Sequence, residues 1–117
     1  MTLGQKQRVF ARLVARLIER AYHSGYELTF GETYRSPAQA AANAAAGTGI
    51  RNSLHTKRLA IDLNLFEGGV FLTDSEAHRP LGEFWESLST PDYECCWGGR
   101  FAKPDGCHYS IAHEGIK

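Results

Sequence analysis

Two imidazoles and two carboxylates carry the chemistry that this sequence can offer. His55 precedes an alternating apolar run, and Asp62 lies inside that run, seven positions later. Far downstream, Asp105 and His108 stand three apart in Pro104-Asp105-Gly106-Cys107-His108-Tyr109. His55, Asp62 and His108 supply two nitrogens and one oxygen. A catalytic zinc takes three protein ligands of this kind and keeps a fourth position for water. Asp105 then suits the general base that takes a proton from that water and passes it to a leaving amine. The same residues have plainer uses. A lone histidine in a loop is often a hydrogen-bonded residue, and an aspartate in a strand can cap a turn or pair with an arginine. Spacing alone leaves both uses open.

The elements around these residues must bring them together. Leu59, Ile61, Leu63 and Leu65 alternate with Ala60, Asp62 and Asn64, so a strand is expected with one apolar face and one face carrying the carboxylate. His108-Tyr109-Ser110-Ile111 reads as a last strand, and an antiparallel sheet can set it beside the first. Positions three apart on an extended strand face opposite ways, but a bend at Pro104-Asp105-Gly106 can re-aim Asp105. Upstream, Phe10, Leu13, Val14, Leu17, Ile18 and Ala21 recur at helical steps and predict a helix over 3–24, stopped by Gly25. The basic residues opposite that stripe read as a solvated face. Glu27–Phe30 reads as a strand running on towards Arg35. Ser36, Pro37 and Gln39 start an alanine-rich helix with a capping box, ending at Gly47. Glu67-Gly68-Gly69 is a hairpin turn into a strand over 70–72. A helical segment follows from Asp74 or Ser75 to Leu88, with Pro80 separating its first part as a loop or turn. Cys95–Trp97 reads as a further strand, followed by a turn at Gly98-Gly99.

Composition bounds the function. The chain has 117 residues, 43% apolar and 22% charged, which suits one folded domain with one core. Basic and acidic residues balance at 13 each, so the footprint of a nucleic-acid binder is missing. No apolar run reaches membrane-spanning length. The first residues lack a signal-peptide stretch, and synthesis in the cytoplasm is expected. Three cysteines, two of them adjacent, make no disulfide framework and no usual structural zinc spacing. Cys107 beside His108 suggests a thiol hydrolase, but neighbours on a strand face opposite ways. His23, His78 and His113 have no partner at telling spacing and are expected at the surface. Trp85 and Trp97 read as core aromatics, with Trp97 an alternative wall of the site.

Taken in order, Ser53-x-His55, Ala60-x-Asp62 and Asp105-x-x-His108-Tyr109 resemble the zinc peptidases of the M15 group. These include D-alanyl-D-alanine carboxypeptidases and dipeptidases, and the L-alanyl-D-glutamate endopeptidases that phages use as endolysins. Tyr34-Arg35-Ser36-Pro37 is similar to the group's upstream arginine region, and Trp97-Gly98-Gly99-x-Phe101 to the segment leading into its second histidine. The likeness covers roughly residues 28–112.

The resemblance implies an α+β fold like that of the DD-peptidases, a small antiparallel sheet with helices packed against it, in a single domain over 1–117. It implies one Zn2+ held by His55, Asp62 and His108, with Asp105 as catalytic base. Arg35 is implied to hold a substrate carboxylate or stabilise the oxyanion, and is as readily a surface ion pair. Ser53 orients His55, caps the loop or touches substrate. An aspartate at position 105 is similar to the phage endopeptidase branch. The implied substrate is the stem peptide of peptidoglycan, reached from the cytoplasm after lysis or holin-type release. Carboxypeptidase activity, or a wall or virion module that keeps the metal without turnover, are the alternatives. Arg58 stands where the group's pattern has glycine, and a bulky residue there implies a different local turn.

Overall fold

The computed structural model describes residues 1–117 as an α+β fold built on a five-stranded antiparallel sheet. The first helix, α1 (Leu3–His23), begins at a capping box in which Thr2 and Gln5 exchange backbone and side-chain hydrogen bonds. It ends before Gly25, whose φ of 89° suits glycine. Its apolar stripe, Phe10, Leu13, Leu17 and Ala21, is buried.

Strand β1 (Tyr26–Phe30) stops earlier than the run to Arg35 expected from sequence. The reason lies in its partner. Gly31 N–H donates to Asp62 O and Asp62 N–H donates to Glu32 O, both at 2.8 Å, so two residues oppose one in the manner of a β-bulge. Helix α2 (Pro37–Ala45) starts at Ser36, whose hydroxyl accepts from Gln39 N–H. The Gln39 side chain turns to Asn43 instead of closing the expected capping box. With alanine at most positions, α2 buries only Ala40.

The longest strand, β2 (Ala60–Glu67), is the centre of the sheet. One edge pairs with β1. The other pairs with β3 (Val70–Leu72) through residues 65–67 and with β5 (His108–Ile111) through residues 60–62. Strand β4 (Cys95–Trp97) completes the order β1-β2-β5-β4. A 3-10 turn over Ser75–His78 leads into α3 (Arg79–Ser87), and Pro80 sits in the first turn of that helix, where its missing N–H costs nothing.

Alternation along β2 decides the two sides of the molecule. Ile61, Leu63 and Leu65 join the core with Leu13, Leu17, Leu81, Trp85, Tyr109 and Ile111 under α1 and α3. Asp62 and Asn64 therefore lie half-buried on the other face, while Ala60, at the start of the strand, is buried with the core. Two buried polar tips of the core find partners, Trp85 Nε1 donating to Ser110 O and His78 Nδ1 lying 2.8 Å from Tyr109 Oη, while the buried Ser110 hydroxyl has none. His78 thus differs from the expected surface histidine. It is 4% exposed, and burial pushes its pKa down, favouring the neutral ring. His23 is exposed as expected, whereas His113 is half-buried between Lys6 and Glu114.

Candidate metal centre

Register places the site. Asp62 on β2 is directly opposite His108 on β5, so the two side chains share the outer face. His55 arrives from a 3-10 turn over Leu54–Lys57 just before β2. Asp62 Oδ1 lies 3.4 Å from His55 Nε2 and 3.5 Å from His108 Nδ1. Donors at the vertices of a tetrahedron around a metal, each about 2.0 Å from it, stand about 3.3 Å apart. These separations therefore match a ligand set awaiting one small cation. The ligand atoms of all three residues lie within 4.8 Å of one another.

The polar inventory agrees. Asp62 Oδ1 and His108 Nε2 are buried without a hydrogen-bond partner, and an orphaned carboxylate oxygen between two imidazoles is costly unless a cation completes it. His55 and His108 are 3% and 6% exposed. His55 Nδ1 lies 3.1 Å from the Thr33 carbonyl, which assigns the proton to Nδ1 and frees Nε2 for a metal. Burial alone would raise the Asp62 carboxyl, but the His108 and His55 imidazoles bring it down to about 2. Burial alone would lower the His55 imidazole, and its Asp62 partner raises it above the ordinary value.

Asp105 is exposed, and its carboxylate lies within 4.8 Å of an Asp62 oxygen, so the bend before β5 does re-aim it towards the cluster. Gly98 sets that bend. A Cβ on Gly98 would fall 2.1 Å from Asp105 O and 2.8 Å from His108 Cβ. Gly98 O accepts from Asp105 N–H at 2.9 Å. On the other side, Ser75 Oγ accepts from Gly106 N–H at 3.0 Å. Beside this turn, where β3 and β5 part along the edge of β2, a cavity of about 170 Å³ opens between Asn64, Phe71, Thr73 and Asp105.

The remaining expected residues sort as follows. Ser53 is 6% exposed and its hydroxyl accepts from His55 N–H at 3.2 Å, so it orients the histidine by capping its turn. Arg35 is tied in by its backbone N–H to His55 O and by its guanidinium to Glu32, whose carboxylate also lies 3.9 Å from His55 Nδ1. Trp97 does not wall the site. It pairs with Tyr109, which pairs with Ile61, so its register puts it on the core face, where it is 1% exposed and donates from Nε1 to Gly106 O. Cys107 corrects the alternation argument. It sits in a turn, not on the strand, and its Sγ lies 3.4 Å from Asp105 Oδ1 on the site's own side. Burial, then the Asp105 and Asp62 charges, push its thiol up to about 12, the opposite of an activated nucleophile. Arg58 also departs from expectation. At φ 54° and ψ 38° it adopts the left-handed conformation open to glycine, so the turn is kept, and its guanidinium lies 4.1 Å from the Tyr34 ring centre.

Fold and site together define an α+β chain with a buried His-Asp-His cluster suited to a metal ion. Among solved structures the chain is similar to the L-Ala D-Glu endopeptidase ChiX of Serratia marcescens, with a TM-score of 0.67 and 17% identity over 93% of this chain and 85% of that one. The fold is therefore like that of this L-Ala D-Glu endopeptidase, as the order of motifs implied. No family model and no curated protein sequence matches the chain. No helix is long and apolar enough to cross a membrane.

Proposed function

We propose that this protein is a zinc-dependent peptidase that hydrolyses an amide bond in the stem peptides of peptidoglycan, of the L-alanyl-D-glutamate endopeptidase type and serving as a phage or prophage endolysin. The observation that carries the reading is the convergence of His55 Nε2, Asp62 Oδ1 and His108 Nδ1 around an orphaned oxygen, with a carboxylate next to them. Two nitrogens and one oxygen suit zinc. When bound, the metal supplies Lewis acidity that polarises the scissile carbonyl and acidifies water.

The chain's own residues do the rest. Asp105, exposed at the mouth of the site, accepts a proton from the attacking water and returns it to the leaving amine. The cavity beside Asn64 and Thr73 receives one side of the stem peptide. Arg35 is already neutralised by Glu32. A free C-terminal carboxylate would meet that acid as well as the guanidinium, which favours the endopeptidase over the carboxypeptidase.

The test is incubation of purified wall with protein, with and without a chelator. New amino termini should appear only with metal present, and mass spectrometry of the fragments should show the L-alanyl-D-glutamate bond cut. Asp105→Ala should keep its metal and lose at least a hundredfold in turnover. Cleavage that persists in this variant, or that a thiol-alkylating reagent stops while a chelator does not, overturns the assignment.

A further inference from the structure

Overall neutrality hides a segregation of charge. Helix α1 carries Lys6, Arg8, Arg12, Arg16 and Arg20 against one acid, Glu19, which leaves eight basic and twelve acidic residues in the rest of the chain. Arg8, Arg12, Arg16 and Arg20 are all exposed and recur every fourth residue, so they form one inclined row along the helix. Each step rises about 6 Å and the row spans about 18 Å. No ion pair joins any of the four to a carboxylate, whereas Arg35, Arg79 and Arg100 are all paired. Shallow grooves flank the row, and Arg12 and Arg16 border both of them. The apolar stripe of α1 packs on the core face of the sheet, so the row looks away from the metal centre.

We propose that this row binds a linear phosphodiester polymer of the cell envelope, one with a polyol backbone and no bases. Guanidinium forks suit phosphate oxygens, and four of them with no carboxylate partner form a binding track, although Arg20 also lies over the Phe84 ring at 4.8 Å. A single file matches a strand better than a plane, and the apolar side of α1 is committed to the core, so nothing remains to insert into a lipid surface. Single-stranded nucleic acid needs aromatic platforms for its bases. The exposed positions between the arginines are Ala11, Ala15 and Glu19, and the aromatics of the flanking grooves, Tyr93 and Phe84, are half-buried in separate grooves, with Arg20 already over the Phe84 ring, so no run of platforms follows the row. The choice of an envelope polymer rests on the peptidase reading; the phosphodiester chemistry does not. Bound by its back, the protein keeps the metal cleft free for neighbouring stem peptides.

The test measures binding of the full chain to purified poly(glycerol phosphate) freed of peptidoglycan, beside an oligonucleotide of equal phosphate number and vesicles of mixed anionic and zwitterionic lipid. Arg12→Glu/Arg16→Glu should weaken polymer binding at least tenfold, and Arg12→Gln/Arg16→Gln should weaken it less. The neutral pair should lower the slope of log affinity against log salt by about 1.4, two phosphate contacts at about 0.7 each. Hydrolysis of a soluble stem peptide should be unchanged in both variants. Equal polymer binding by wild type and the charge-reversed variant, no binding by wild type, or tighter binding to the oligonucleotide or the vesicles overturns the proposal. A failed peptidase reading shows separately, as no stem-peptide cleavage by any of the three proteins.

Discussion

Replacing Gly98 with alanine tests whether the Asp105 turn is held by close backbone packing. The new Cβ would sit 2.1 Å from Asp105 O, a main-chain atom that no rotamer change can move aside. An ordinary contact begins at 3.4 Å, so relief requires a retreat of about 1.3 Å (3.4 − 2.1), of the order of 1 Å even if part is taken up elsewhere. Forced overpacking of this kind costs about 1–3 kcal/mol. For a chain of this size that lowers the melting temperature by about 4 °C per kcal/mol and leaves the protein folded at 25 °C. The functional cost is larger. A catalytic group displaced by about 1 Å loses about a hundredfold in rate. Three measurements on one preparation check this: the melting temperature, the metal content, and kcat/KM for release of amino termini from a stem peptide. Gly4→Ala in α1 is the control, because its Cβ would meet nothing closer than 3.6 Å and alanine favours the helix. If Gly98→Ala keeps both the melting temperature and kcat/KM of wild type, the turn is not positioned as described.

The metal-free protein should show two limbs in its stability against pH. Asp62 is held at about 2 against an ordinary 3.8, so its roughly 2 kcal/mol is present above about pH 4 and lost as pH falls towards 2. His55 is raised above 6.5, so its contribution is present below that value and lost as pH climbs past the raised one. Urea melts at pH 2, 5 and 8 should flatten in Asp62→Asn. His78→Leu should cost about 1–3 kcal/mol by leaving the buried Tyr109 hydroxyl unpaired, and adding Tyr109→Phe should recover part of that loss in a denaturant midpoint. Arg58→Gly should be more stable than Arg58→Ala by about 1 kcal/mol, since both lose the Tyr34 contact and only alanine keeps the left-handed strain. Both variants should retain peptidase activity.

The most readable parts of the site are those governed by local pattern. The period-two run from Leu59 to Leu65 put Asp62 on the face away from the core, and the proline-glycine bend turned Asp105 back. What escaped depends on contacts distant along the chain. Glu32 looks like an ordinary acid three residues from an arginine, and its place near His55 follows from a bulge that exists only when β2 is alongside. Ser75 supports a turn 31 residues away. His78 is buried because Tyr109 offers it an oxygen across the fold, and nothing in its own neighbourhood announces this. Gly98 could have been found, since a glycine at a strand end often marks close backbone approach. Cys107 was misplaced because strand alternation was applied to a residue that lies before its strand begins, whereas Trp97 is the core aromatic its type suggested and not the alternative wall of the site.

The candidate metal cluster is aligned mostly by main chain. Glu32 and Gly31 hold Asp62, the Thr33 carbonyl holds the His55 ring, Arg35 N–H holds His55 O, and the Asp105 carbonyl holds His108 N–H. Peptide groups are common to every residue, so most neighbouring side chains can be exchanged without disturbing the distances between the ligands. A scaffold of this kind lets one fold be built with few side chains in common, and 17% identity alongside a TM-score of 0.67 accords with that.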